Sequence, residues 1–71
     1  MQRDIRKRFG ARMQQLRQQY GLSQEEMSFR LGFERGYYGK VECGRKDCKL
    51  STLDKVAEAL GMSLGDLLAG V

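Results

Sequence analysis

Seventy-one residues with 13 Lys and Arg, 9 Asp and Glu and no His carry a formal charge of +4. A chain this short folds as one domain with a modest core, which excludes a two-domain enzyme, and the lack of His removes the commonest general base and metal ligand. The charge is polarised, with +5 over residues 1–22, +1 over 23–50 and −2 over 51–71, so the basic end suits a polyanion, or else is simply a solvated basic face. No apolar run reaches the length of a membrane span, and the start "MQRDIRKRFGARM" has no apolar signal core, so a soluble, intracellular protein is expected. Cys43 and Cys48 are too few for a zinc site without His and are expected to be free thiols, Cys48 half-buried; neither a metal nor a cofactor is expected.

Proline is absent and no two-residue alternation persists, whereas apolar residues recur at three- and four-residue spacings, which predicts an all-α fold. Helix one is expected from about Asp4 to Gln19, with Ile5, Phe9, Met13, Leu16 and Tyr20 on one stripe and Gly21 as its stop. In "SQEE", Ser23 is the N-cap and Glu26 reaches back to it, a capping box opening a second helix that runs through Leu31. A third helix is expected within "GFERGYYGKVECG", over about 34–43, with Phe33, Tyr38 and Val41 inward and the Tyr38 hydroxyl near the surface. Its outer side then carries Arg35, Gly36, Gly39 and Lys40. Each glycine costs a helix about 1 kcal/mol relative to alanine, so the bare, basic side is expected to serve contact with a groove.

Helices two and three meet at "LGFE", the spacing of a helix-turn-helix and equally that of an ordinary αα-corner. Further on, "STLD" puts Ser51 at an N-cap with Asp54 closing the box, ahead of inward Leu53, Val56, Ala57 and Leu60. "SLGD" does the same with Ser63 and Asp66 for a short fifth helix carrying Leu64, Leu67 and Leu68.

From about Phe9 to Leu68 the chain resembles the XRE family, whose members carry a lambda-repressor-like DNA-binding domain of five compact helices. The resemblance rests on Arg17 late in helix one, "GLSQEEMS" opening helix two, "ECG" at the end of helix three and "LSTLDKVAEALG" in helix four. "ERGYYGKVECGRKDCKLSTL" also looks like the small controller proteins of restriction–modification systems, although Gly36 and Gly39 stand where those usually have Thr and Ser, and Tyr38 where they have an aliphatic residue.

The family resemblance implies a single helix-turn-helix domain over 1–71 that binds double-stranded DNA, with helix three in the major groove. By the same resemblance Arg35, Gly36, Tyr37 and Lys40 face bases or adjacent backbone, Gln24 contacts a phosphate, and Arg17 pairs with Glu42 as a structural ion pair. Arginine can span O6 and N7 of guanine with two hydrogen bonds, and a helix N-terminus presents donors to an anionic oxygen. Arg45, Lys46 and Lys49, in the loop after helix three, are expected at the phosphate backbone, the alternative being a solubilising loop. Arg3, Arg6, Lys7 and Arg8 form a loose arm or an exposed face of helix one.

A single recognition helix offers few contacts, so a homodimer on an inverted repeat is expected, joined through Leu64, Leu67, Leu68 and Val71. The resemblance implies a bacterial or phage-encoded cytoplasmic protein acting at the nucleoid, without a small-molecule effector. Phe29 stands at a usually polar position of the family and marks a partner surface, a packing change or an isolated exposed ring. The rival function is a protein-interaction module of the same fold, antitoxin-like or bridging. An enzyme is not expected, because His, a metal cluster, GxSxG and a phosphate loop are all missing.

Overall fold

The computed structural model describes residues 4–71 and contains five helices: α1 (Ile5–Tyr20), α2 (Gln24–Leu31), α3 (Tyr37–Glu42), α4 (Leu50–Ala59) and α5 (Leu64–Leu67). Among the described residues no helix is long and apolar enough to cross a membrane. Asp4 caps α1 by accepting from the Arg6 amide, and Gly21 ends it. At the head of α2 the Ser23 hydroxyl accepts from the Glu26 amide at 3.0 Å while the Glu26 carboxylate accepts from the Ser23 amide at 2.8 Å, so both halves of the expected capping box form. Only one half forms at Ser63, which accepts from the Asp66 amide at 3.0 Å.

Two helix starts differ from expectation. Ser51 is not a cap: α4 begins at Leu50 behind Lys49, two residues earlier than a Ser51 cap implies, and Lys49 makes no side-chain cap bond. The third helix is shorter than 34–43, because Gly36 sits in the left-handed conformation at φ +83° as its N-cap. An L-residue pays to adopt that conformation, so this glycine is required by the turn and cannot continue a helix backwards through Arg35. Arg35 and Gly36 thus belong to the turn before α3.

The core comprises Phe9, Met13 and Leu16 of α1, Met27 of α2, Tyr38 and Val41 of α3, Val56, Ala57 and Leu60 at α4, and Leu67 of α5. The ends of the expected α1 stripe, Ile5 and Tyr20, stay exposed. The Tyr38 hydroxyl is buried rather than near the surface and donates to the Met13 carbonyl at 3.1 Å. Burial pushes its pKa well above the ordinary tyrosine value, which keeps this donor protonated.

Gly10 sets how closely α1 and α3 approach. A Cβ there would sit 2.6 Å from the Val41 carbonyl oxygen and closer still to that of Glu42. Both obstacles are backbone, so relief requires α3 to move away. Gly65 in α5 is the opposite case, with only the Ser63 hydroxyl near its Cβ position, at 3.9 Å. Gly10→Ala is therefore expected to destabilise the fold by about 1–3 kcal/mol through overpacking, whereas Gly65→Ala is neutral or stabilising by up to about 1 kcal/mol, read by urea melts followed by circular dichroism.

Candidate nucleic-acid interface

The outer side of α3 is held at its angle by charge. Arg17 Nε donates to Glu42 Oε2 at 2.6 Å and its Nη2 to Oε1 at 3.4 Å, while Nη1 donates to the Leu22 carbonyl at 3.1 Å. Gln24 adds a third donor, its Nε2 lying 3.0 Å from Glu42 Oε1. The Glu42 side chain is only 6% exposed and that of Arg17 17%. Burial pushes the Glu42 carboxyl up, but donors from Arg17 and Gln24, with the Tyr38 hydroxyl close by, outweigh it and hold the group below the usual carboxylate range. One network thereby joins α1, the head of α2 and the end of α3, which is the arrangement expected for Arg17 and Glu42.

Between α2 and the outer side of α3 lies an open groove whose lining includes Gln24, Glu25, Phe29, Arg35, Gly36 and Gly39. Arg35 is exposed and makes no hydrogen bond or ion pair among the described residues. Nothing lies within 4 Å of a Cβ built on Gly36, and a Cβ on Gly39 would touch only Gln24 Oε1, at 3.4 Å. Lys40 follows Gly39 on α3, on the side away from the buried Tyr38 and Val41, and is exposed. The result is bare backbone flanked by two cationic side chains.

Tyr37, expected among the base readers, is set apart from them. Its ring meets Phe33 edge-on with centroids 4.8 Å apart, its hydroxyl lies 3.7 Å from Cys48 Sγ, and Lys46 Nζ sits 5.9 Å from the ring centroid. Burial and the Cys48 contact push its pKa up to about 12. The side chain braces the loop carrying Arg45, Lys46 and Lys49, all exposed. Gln24 likewise spends one amide N–H on Glu42 and keeps the other for a further acceptor. Among the basic residues of the N-terminus, Arg6 pairs with Asp4 at 2.9 Å and Arg8 donates to the Val71 carbonyl at 3.3 Å, while Arg3 lies outside the described residues.

A second surface lies around the C-terminus. Leu67 is fully buried in the protein's own core, so it cannot also meet a second copy. Leu64 is half-buried against that core. Leu68 and Val71 instead line an apolar groove of about 240 Å³ together with Ile5, Phe9, Leu50 and Leu53. Ile5 and Leu50 remain 57% and 75% exposed. Neither is expected at a partner surface from the sequence; the available signals were Ile5 at the edge of the α1 stripe and an apolar Leu50 in the first turn of α4. Arg12 was missed as well: it donates to the carbonyls of Leu67 at 3.0 Å and Asp66 at 2.7 Å, tying the end of α5 to α1.

A family model described as a helix-turn-helix domain matches residues 8–69. The chain belongs to the helix-turn-helix family of transcriptional regulators. It is 40% identical over 65 residues to an uncharacterized HTH-type transcriptional regulator, y4dJ, of Sinorhizobium fredii, covering 92% of this chain and 84% of that protein. It is 33% identical over 69 residues to the control protein C.MunI of a Mycoplasma species, covering 96% and 93%. Its fold matches the crystal structure of the restriction-modification controller protein C.AhdI from Aeromonas hydrophila with a TM-score of 0.80 and 38% identity, covering 89% of this chain and 96% of that one. These relatives are regulators, not enzymes.

The Glu42 network predicts a pH signature. A carboxylate held below its ordinary value of 4.5 contributes stability that is present above that value and lost as the pH falls through the folded one. Glu42→Gln should cost about 3 kcal/mol near neutrality by leaving Arg17 unpaired, the low end of the range because Arg17 is partly wet. The gap between wild type and variant in chemical denaturation should then narrow as the pH falls below 4.5.

Proposed function

We propose that this chain is a sequence-specific regulator that binds double-stranded DNA as a homodimer on an inverted-repeat operator, acting in the bacterial cytoplasm. The observation that carries the reading is the outer side of α3, where Arg35 and Lys40 flank the unoccupied backbone of Gly36 and Gly39. Membership of a helix-turn-helix family supports it. In this reading α3 lies in the major groove, Arg35 spans O6 and N7 of a guanine, Gly36 admits close approach, and Lys40 reaches a base or a phosphate.

Gln24, Arg45, Lys46 and Lys49 form the phosphate contacts that set the register, each phosphate contact steepening the salt dependence by about 0.9 log units per log unit of salt. Tyr37 acts through the loop it braces, not on a base. Specific base contacts of about 1–3 kcal/mol each are too few in one copy to select one site in a genome, which is why a second copy is required. The dimer face proposed is Leu68 and Val71 with Ile5, Leu50 and Leu53, and with Leu64 at its margin. Leu67, being core, drops out of that set. Occupancy is then governed by the protein's concentration, with no small-molecule effector or cofactor.

Selection of bound duplexes from a random library tests the reading. Wild type should yield an inverted repeat with half-site centres about one helical turn, roughly 34 Å, apart. Arg35→Ala should relax one base pair in each half, and Leu68→Asp should leave a single half-site bound weakly. Salt-sensitive binding without a motif, or no binding, would instead favour the protein-interaction module.

A further inference from the structure

Phe29 has no part in the readout described so far, yet at 88% it is the most exposed large apolar side chain of the described residues. It stands on α2 one turn beyond Glu25, and both line the groove that also holds Arg35, Gly36 and Gly39. Phe33 lies half-buried in the same lining, so the groove is apolar along part of its length. Anything that covers Phe29 by filling this groove also covers Arg35 and the bare glycines. A protein partner seated there would therefore compete with DNA, whereas a base-pair edge satisfies both neighbours at once.

The chemistry of the lining narrows what that edge carries. Arg35 suits the two acceptors of guanine, and an apolar ring suits the one apolar group in the major groove, the 5-methyl of a pyrimidine. Glu25 disfavours a phosphate in this part of the groove and is compatible with base edges, since a carboxylate accepts from the cytosine amino group. We propose that Phe29 is a specificity-determining residue that packs on the 5-methyl group of a pyrimidine next to the guanine read by Arg35. This rests on the DNA-binding reading above.

The methyl has two sources, thymine and 5-methylcytosine, and the test separates them. The duplex selected by wild type is remade with each half-site thymine replaced by uracil, and separately with each cytosine replaced by 5-methylcytosine. Equilibrium affinity is then measured for wild type and for Phe29→Ala. If thymine is the source, uracil at one position of a single half-site should weaken wild type about four-fold, the worth of one buried methyl, and uracil at the matching position of both half-sites about sixteen-fold. If the pyrimidine is cytosine, its methylation should strengthen wild type by the same factors. Phe29→Ala should bind the preferred duplex more weakly and show neither effect, while melting like wild type because the ring packs on nothing.

Wild-type affinity indifferent to the methyl at every position would overturn the proposal, as would a methyl effect that survives in Phe29→Ala. Unchanged operator binding by Phe29→Ala would also overturn it. Failure of wild type to select any operator is a distinct result, which removes the DNA reading itself and this proposal with it.

Discussion

The Glu42 carboxylate is almost fully buried, and every placement on the outer side of α3 depends on its finding the Arg17 guanidinium. A buried charge left alone costs several kcal/mol, more than a small domain can spare, so the fold is stable only with α3 at the one angle that makes the pair. Gly10 fixes the distance in the same arrangement, because no side chain larger than hydrogen fits between α1 and the carbonyls at the end of α3. Angle and separation are thus set by a charge and by an absence of atoms, both on the side of α3 that faces away from the groove.

This division frees the outer side. A six-residue helix has little stability of its own, and α3 takes what it needs from Tyr38 and Val41 in the core and from the Glu42 network. Its outward position 39 can then be glycine at small cost to the whole. The loop after α3 is organised on the same plan: Tyr37, wedged between Phe33 and Cys48, braces the segment carrying Arg45, Lys46 and Lys49. Arg12, by donating to two carbonyls at the end of α5, ties Leu68 and Val71 to the same α1 that positions α3. The two surfaces of the proposed dimer are therefore connected through one helix.

Most of the periodic core was legible from spacing alone, because Phe9, Met13, Leu16, Val41, Val56, Ala57 and Leu60 fall at helical intervals and all end up buried. The Ser23 box was legible because serine and glutamate at that spacing have few other uses. Ser51 misled, since a serine one residue inside a helix has the same sequence signature as one at its cap. The late start of α3 was hidden for a related reason: Gly36 fits a helix pattern by spacing, and only its left-handed backbone shows that the turn extends so far. Leu67 and Leu68 both look like members of an apolar face, and which is core depends on the 100° between successive residues and on where α1 lies. The Arg17–Glu42 pair came from the family resemblance, since nothing in a pairing separated by 25 positions is local.

In the proposed complex one face, the α2–α3 groove with the outer side of α3, meets DNA while the C-terminal apolar groove does not. The most direct test is to titrate the isotope-labelled protein with its selected duplex and map the amide shifts by NMR. The largest changes are expected on Gln24, Phe29, Arg35, Gly36, Gly39 and Lys40, with those of Ile5, Leu50, Leu68 and Val71 tracking protein concentration instead of DNA. Changes centred on Ile5, Leu50 and Val71 on adding DNA, with the glycines of the α3 face unmoved, would contradict that arrangement.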